Sequence, residues 1–230
     1  MKSRRKASTQ TFMRERKYVK ISPMSPATAS PAPRRSQAER SATTRDALLD
    51  ATIACLVEEG YANTTTGRVA ERAGVSRGAH LHHFQTRQAL LAAAMERLAE
   101  RRGAQLLAAA EDLPEGRERL EQGLDLLWES YANPLFQAAL DLWSHARTDP
   151  DLRERLVPVE RRLDRQTLAI TRRLFPALAE HPDFDRLIEM AVSTIRGLAL
   201  LDTLHPGDGR NRKQWSYSRA RLVELFEGAL

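Results

Sequence analysis

Apolar residues beyond position 42 recur at intervals of three and four, the spacing that places side chains on one face of an α-helix. No run there alternates apolar and polar residues between turn signals, as a half-buried strand would. We therefore predict an all-α fold. Proline breaks such as Asn133-Pro134 and Asp149-Pro150 divide the second half into helices at about 115–132, 135–148, 151–174, 184–205 and 214–229.

The first half of this region contains shorter helices with recognisable start and stop residues. A helix over 45–59 is predicted to stop at Gly60, a residue that tolerates positive φ. Gly74 ends the next helix, a third runs from 77 to Phe84, and a long fourth helix follows. Their N-caps are predicted to be hydroxyl residues: Thr43 or Thr44, Thr65 or Thr66, Ser76, and Thr86.

Positive charge is concentrated at the N-terminus. The 230-residue chain has a net charge of +6, yet residues 1–45 hold twelve of its 36 Lys and Arg and only two of its 30 Asp and Glu. The remainder is a slightly acidic globule. Residues 1–41, which are also Pro- and Ser-rich, are predicted to form a disordered tail. This tail is either an arm that follows DNA phosphates or a passive segment.

Several function classes are excluded by what the sequence lacks. The longest apolar stretch, Ile195–Leu204, is interrupted by Arg196 and Asp202, so no membrane span and no membrane partner are expected. No secretory signal is recognisable, which predicts a cytoplasmic protein. The single cysteine, Cys55, excludes an intrachain disulfide. Without a phosphate-binding loop or a catalytic motif, we expect neither an enzyme nor a cofactor.

The most informative stretch is 64–91, TTTGRVAERAGVSRGAHLHHFQTRQALL. Two short helices joined by a tight turn at 74–76 predict a helix-turn-helix at about 65–84. Ala70 is small where the helices must cross, Gly74 permits a left-handed turn, and Val75 fills the angle between them. The second helix of such a unit enters the major groove of DNA.

Together with Leu48-Leu49-Asp50-Ala51 and Gly60-Tyr61, this stretch resembles the TetR family of bacterial transcriptional regulators over residues 42–102. The register is carried by these residues: Thr64 to Thr66, Val69-Ala70, Ala73-Gly74-Val75-Ser76, Gly78, His83-Phe84, Arg87 and Leu90-Leu91. The resemblance implies a three-helix DNA-binding domain at 42–102. It further implies a helical ligand-sensing and dimerisation domain at 103–230, where the match is only in outline.

The family pattern and the helix geometry together nominate the DNA-contacting residues. Arg77 is expected to read a base, because its guanidinium can bond O6 and N7 of guanine together. Gly78 and Ala79 allow close approach, and His82 can reach a base or a phosphate. Phosphate contacts are predicted for Thr65, Thr66, Arg68, His83 and Arg87, and Ser76 joins Arg77, Gly78 and Ala79 at the leading edge of the recognition helix.

The recognition helix departs from the family at two positions. A large aliphatic residue and a tyrosine are usual, and this chain has His80 and Leu81. Either His80 packs inward with its ring nitrogens hydrogen-bonded, or the helix rotates so that Leu81 supplies the core contact. His80 and His83 share a helix face, but no Cys, Asp or Glu nearby in sequence completes a ligand set, so no metal site is predicted.

The C-terminal half offers a candidate cavity and a candidate dimer face. Four aromatic residues on two consecutive helices suggest a pocket for an apolar small-molecule effector: Trp128, Tyr131, Phe136 and Trp143. The last two helices carry more apolar surface than one small body buries, which predicts a homodimer through them. The residues concerned are Leu187, Ile188, Ala191, Ile195, Leu198, Leu201, Leu222, Leu225 and Phe226.

We therefore predict a bacterial, ligand-responsive repressor that binds a palindromic operator of double-stranded DNA as a homodimer and is nucleoid-associated when bound. A different class remains open: a helical small-molecule-binding or interaction protein whose DNA-reading head has decayed, which His80 and Leu81 favour. A third reading is a non-specific DNA binder that works through the basic tail. Deletion of residues 1–41 distinguishes it, because sequence readout survives that deletion.

Overall fold

A computed structural model describes residues 36–204 and 209–230 of the chain. Within them the protein is all-α, as predicted, and its helices alternate with short connections. The helices are α1 Gln37–Asn63, α2 Thr66–Ala73, α3 Arg77–His83, α4 Arg87–Ala110, α5 Gly116–Tyr131, α6 Pro134–Ala146, α7 Pro150–Leu174, α8 Phe184–Leu204 and α9 Arg210–Glu227.

The start of α1 differs from the prediction. The helix begins at Gln37, so residues 37–41 of the predicted tail are helical, and residues 1–35 lie outside the described part of the chain. A cap at Thr43 or Thr44 was the wrong assignment, because both hydroxyls donate to carbonyls one turn back, at 2.8 and 2.9 Å. The predicted break at Gly60 is present as a kink with φ 75° and ψ 174°, beyond which a short helical turn reaches Asn63.

The helices enclose two hydrophobic clusters. We call α1–α3 (37–83) the head and α5–α9 (116–227) the body. The head cluster is formed by α1, α2 and the start of α4, with Leu48, Val69, Phe84 and Leu90 buried in it. The larger body cluster fills the space among α4 to α9, and Leu98 on α4 packs against both clusters.

Helix α4 runs from the head into the body. Its first turn follows the head directly, and its length packs along α7. The predicted domain boundary at residue 102 therefore falls inside one continuous helix and stays a prediction. A second connection joins α1 to α6, where the rings of Tyr61 and His145 stack with centroids 4.0 Å apart.

Candidate nucleic-acid interface and ligand cavity

Local capping positions the two helices of the helix-turn-helix. The Thr65 hydroxyl oxygen accepts from the Arg68 amide at 3.2 Å, and α2 ends at Gly74 in the left-handed conformation, with φ 64°. The Ser76 hydroxyl oxygen accepts from the Ala79 amide at 3.3 Å and starts α3. The turn is closed by the Val75 amide, which donates to the Ala70 carbonyl at 2.9 Å. These are the predicted caps and the predicted turn.

The leading edge of α3 is open to solvent. Ser76, Arg77 and Gly78 are exposed, and no heavy atom lies within 4 Å of the point where a Cβ on Gly78 would stand. Within the described chain Arg77 has no hydrogen-bond or ion-pair partner. Ala79 is half-buried and His82 is exposed on the following turn. This edge of α3 is therefore accessible and carries the unpaired guanidinium of Arg77.

Two other basic residues of the head are engaged with its own acids. Arg68 was predicted to contact phosphate, but its Nε lies 3.1 Å from a Glu59 oxygen and its Nη1 3.3 Å from Glu71. Arg72 makes a paired contact with Glu58 at 2.6 and 2.7 Å. These ion pairs tie α2 to the end of α1, and the phosphate contact of Arg68 stays a prediction.

Arg87 also has a structural partner set. Its Nε donates to the Thr64 carbonyl at 2.7 Å, its Nη2 donates to the Tyr61 carbonyl, and its guanidinium carbon lies 4.0 Å from the Tyr61 ring centroid. The side chain is half-buried. Its guanidinium therefore fastens the start of α4 to the end of α1. This partner set was not predicted, because those carbonyls lie 23 and 26 residues upstream, beyond any local pattern, and the phosphate contact of Arg87 stays a prediction.

The remaining predicted phosphate contacts keep an accessible polar group. Thr65 is exposed and Thr66 half-buried, and the Thr65 hydroxyl, which accepts in its cap, still has a proton to donate. His83 is half-buried with its ring 5.3 Å from that of His82. Burial, followed by the charges of His82 and Arg45, lowers the pKa of His83. His83 is therefore a neutral hydrogen-bonding group near neutral pH.

The structure separates the two readings of the His80-Leu81 pair. His80 is 2% exposed and Leu81 is 49% exposed, so His80 is the residue that packs inward. Its Nε2 is buried and has no hydrogen-bond partner, contrary to the expectation that the ring nitrogens are satisfied. Burial, with the His83 charge adding to it, lowers the pKa of His80. The imidazole therefore takes the core position as a neutral ring.

A cavity of about 320 Å³ lies in the body, between α4, α5, α6, α7 and α8. Three of the four aromatic residues predicted to surround a ligand line it: Tyr131, Phe136 and Trp143. Trp128, the fourth, does not line this cavity, contrary to the prediction. Its ring stacks on that of Trp215, with centroids 5.2 Å apart. Trp128 therefore lies on the face of α5 that packs against α9.

One end of the cavity is polar and positively charged. Arg102 donates to the Tyr131 hydroxyl at 3.0 Å and to the Thr167 hydroxyl at 3.4 Å. Arg196, from α8, lies 3.6 Å from both Glu160 and Asp164, and its buried Nε has no partner. Neither arginine was predicted as a site residue. The one sequence signal was Arg196, a charge within the apolar run of α8.

Electrostatics in this region follow from burial and the two cations. Burial opposes ionisation of Tyr131, yet the charges of Arg102 and Arg196 outweigh it and lower the pKa of the phenol. Burial raises the pKa of Glu160 despite the nearby Arg196. The two arginines thus outweigh burial at Tyr131, whereas burial outweighs them at Glu160.

The last two helices bury much of their apolar surface within the protomer. Of the residues predicted to form a dimer face, seven are buried or half-buried against the core: Leu187, Ile188, Ala191, Ile195, Leu198, Leu222 and Phe226. Leu201 and Leu225 remain exposed, and Met190 and Tyr217 extend the exposed apolar surface along the same helices. We call these four residues the α8–α9 patch. The apolar surface left for a dimer contact is therefore smaller than predicted, and it includes Met190 and Tyr217, which were not predicted.

Within 36–204 and 209–230 no three His, Cys, Asp or Glu side chains come together in a way that could hold a metal ion. None of the described helices is both long and apolar enough to cross a membrane.

Comparison with known proteins finds two family models on this chain. Residues 48–94 match bacterial regulatory proteins of the tetR family, and residues 116–227 match the C-terminal region of BetI-type transcriptional repressors. The first match contains the whole helix-turn-helix. The second spans α5 through α9, which include most of the cavity wall.

Similar proteins are transcriptional regulators. The regulator CymR of Pseudomonas putida is 33% identical over 171 residues, 73% of this chain and 83% of CymR. BetI of Rhizobium meliloti is 29% identical over 162 residues, 70% of this chain and 78% of BetI. Among solved structures, the multidrug binding protein EbrR complexed with imidazole has a TM-score of 0.57 at 22% identity, over 79% of this chain and 93% of that one. This last likeness concerns the fold.

Proposed function

The chain belongs to the TetR family of bacterial regulatory proteins, and from this premise we propose that it is a ligand-responsive repressor that binds a palindromic operator as a homodimer. A member of this family is a DNA-binding transcriptional regulator and not an enzyme, in agreement with the sequence prediction. The observation that carries the finer proposal is the course of α4, whose first turns pack into the head cluster and whose middle lines the cavity.

DNA reading is assigned to the exposed edge of α3. Arg77 is the base-reading residue, because it alone among the predicted contacts is an exposed guanidinium without a partner in the described chain. Thr65, Thr66, Ser76, His82 and His83 are assigned to phosphate or backbone contacts, and Gly78 and Ala79 to close approach. In a dimer the two α3 helices would enter successive major grooves about 34–36 Å apart.

Ligand response is assigned to α4. The helix begins at Arg87, which is bonded to the end of α1, and about two to four turns later Met95, Leu98 and Arg102 line the cavity. A ligand that contacts these residues would favour one position of α4 over another, and so one separation of the two recognition helices. Gln88 and Asp149, whose side chains lie 3.4 Å apart, add a second link between α4 and the body.

Dimerisation is assigned to the α8–α9 patch. Between Met190 and Leu201 on α8 stand Ser193 and Gly197, both exposed and both small. Nothing lies within 4 Å of the point where a Cβ on Gly197 would stand. Small residues flanked by exposed apolar ones allow the α8 helix of a second copy to approach closely, which is the geometry an isologous helical interface needs.

The test is binding to the DNA that flanks the gene, compared with a shuffled fragment of equal composition, at salt concentrations from about 50 to 200 mM. We expect a preference of about a thousandfold or more for the native fragment. Arg77→Ala should remove about 1–3 kcal/mol of discrimination per half-site. Arg155→Ala, at an exposed position on α7, is the matched control and should leave binding unchanged.

Dimerisation is tested separately with Gly197→Arg. The substitution replaces a helical glycine at an open position, so the protomer should fold normally while the bulky charge blocks a second copy. We expect a monomer by sedimentation and loss of operator binding, whereas Ala108→Arg on the exposed surface of α4 should remain dimeric. Equal affinity for native, shuffled and selected random DNA would overturn the repressor proposal and favour the decayed-head alternative.

A further inference from the structure

The cavity combines an apolar wall with a cationic end. Leu98, Phe136, Leu163 and Ile170 contribute hydrocarbon and aromatic surface, and Arg102 and Arg196 stand at the polar end. A volume of about 320 Å³ is at the small end of the range of ligand pockets, roughly 300–1,000 Å³. The site is therefore sized for a small molecule with one apolar and one polar part.

Arg102 lacks an acidic partner. The side chain is half-buried, its hydrogen-bond partners are the hydroxyls of Tyr131 and Thr167, and no carboxylate of the described residues lies within 4.0 Å of its nitrogens. A guanidinium cannot lose its proton in a protein. Its charge, partly removed from water, is therefore available to an incoming anion.

Arg196 is only loosely neutralised. Glu160 and Asp164 lie 3.6 Å away, longer than a good charge-assisted hydrogen bond, and the Nε of Arg196 is buried without a partner. Glu129, the acidic residue that lines the cavity, is exposed.

The same arginines occupy the aromatic faces that a cationic ligand would need. The Arg102 guanidinium carbon lies 4.2 Å from the Tyr131 ring centroid, and that of Arg196 lies 5.4 Å from Tyr131 and 5.5 Å from Trp143. A quaternary ammonium group recognised by these rings would meet both guanidinium groups. Like charges at this distance disfavour it.

We propose that the cavity binds a small organic acid, with its carboxylate on Arg102 and its apolar or aromatic body among Leu98, Phe136 and Ile170. The identity of this ligand as the effector rests on the proposed repressor function; its binding to the cavity does not. The carboxylate would accept from the Arg102 fork and from the Tyr131 and Thr167 hydroxyls, which gives the buried charge the partner it lacks.

Direct binding to the purified full chain tests the proposal without DNA. The probes are phenylbutyrate, its neutral amide, and the trimethylammonium compound of the same length, measured by calorimetry and by tryptophan fluorescence, since Trp143 lines the cavity. Octanoate and octanamide form a second pair. We expect each acid to bind about ten- to a hundredfold more tightly than its matched amide, and the ammonium compound to bind most weakly.

Two variants locate the effect. Arg102→Met keeps the length of the side chain but removes its charge, and should abolish the preference for acid over amide; Arg102→Lys should retain part of it. Arg165→Met, at an exposed position of α7, is the control and should bind as the parent protein does. The parent's ranking of the probes decides the question even if Arg102→Met fails to fold.

Three results would overturn the proposal: the ammonium compound binds at least as tightly as the acid, no acid binds below about 10 mM, or the preference survives Arg102→Met. Failure of the repressor function has a different signature. An acid that binds with the expected preference but leaves operator affinity unchanged would refute the ligand-responsive repressor while confirming the site.

Discussion

The head and the body each contain a buried basic nitrogen that has no hydrogen-bond partner within the described chain: Nε2 of His80 and Nε of Arg196. The two regions deal with it differently. His80 is 2% exposed, and burial lowers its pKa, which favours the neutral ring. Arg196 keeps its charge, with two carboxylates at 3.6 Å and two aromatic rings beside it.

This difference separates a packing residue from a binding residue. An imidazole can substitute for an aliphatic side chain because it can lose its proton, so the head needs no ligand to be complete. A guanidinium has no such route and must find negative charge. The unsatisfied nitrogen in the body therefore marks a cationic end that its own carboxylates, at 3.6 Å, neutralise only loosely, and the one in the head marks no such end.

The largest expected effect comes from placing in the head a charge that is hard to lose. His80→Lys should destabilise the protein by about 3–5 kcal/mol, because an ammonium group would be buried without a partner. Its neighbour supplies the control: Leu81→Lys, at an exposed position, should change the free energy of unfolding by no more than about 0.5 kcal/mol. Urea unfolding measures both. Equal costs for the two variants would mean that His80 is not a core residue.

Arg77 in the head and Arg87 at the start of α4 form a second contrast. Arg87→Ala should cost about 2 kcal/mol of stability, because two charge-assisted hydrogen bonds to backbone carbonyls are lost. Arg77→Ala should leave stability unchanged and reduce operator discrimination. Thermal unfolding and DNA binding are measured on the same samples. An Arg87→Ala protein with unchanged stability but a lower salt slope would return Arg87 to the phosphate-binding role first predicted from sequence.

Predictability followed the range of the interactions. The caps at Thr65, Ser76 and Thr86 and the stop at Gly74 were predicted because each depends on residues within one turn. Two side chains have partners far along the chain that were not predicted: Arg87 bonds carbonyls more than twenty residues upstream, and Trp128 stacks on Trp215. No local pattern contains that information.

The cavity shows the same limit more strongly. Its aromatic wall was partly predictable because Tyr131 and Phe136 are neighbours in sequence and pack edge to face, with ring centroids 5.0 Å apart. Its cationic end was not, because Arg102 and Arg196 come from α4 and α8 and meet only after the whole body has packed. Arg196, a charged residue inside the apolar run of α8, is the one signal of this cationic end that the sequence carries.

A smaller effect is expected from removing the nitrogen of His80 altogether. His80→Leu should stabilise the head by about 1 kcal/mol near neutral pH, since no buried polar atom is left unpaired. Because the folded-state pKa lies below the ordinary value of 6.5, the parent protein should lose stability as the pH falls below about 6.5. Urea unfolding between about pH 7.5 and 5.5 should show a shallower loss for the variant, with His83 supplying the rest. Parallel pH profiles for the variant and the parent would mean that the pKa of His80 does not change on unfolding.

The smallest effect is expected for the stability of Arg102→Met, which tests whether the guanidinium of Arg102 is needed for folding. Arg102→Met, without any ligand, should change the free energy of unfolding by less than about 1 kcal/mol, because losing two hydrogen bonds to hydroxyls is offset by removing a half-buried charge. Chemical denaturation of Arg102→Met and Arg87→Ala, measured side by side, tests this. Arg87 is expected to stabilise the fold, and Arg102 is expected to contribute little to folding. A loss of about 2 kcal/mol or more in Arg102→Met would make that guanidinium structural as well, and an uncompensated charge would no longer argue for an acid in the cavity.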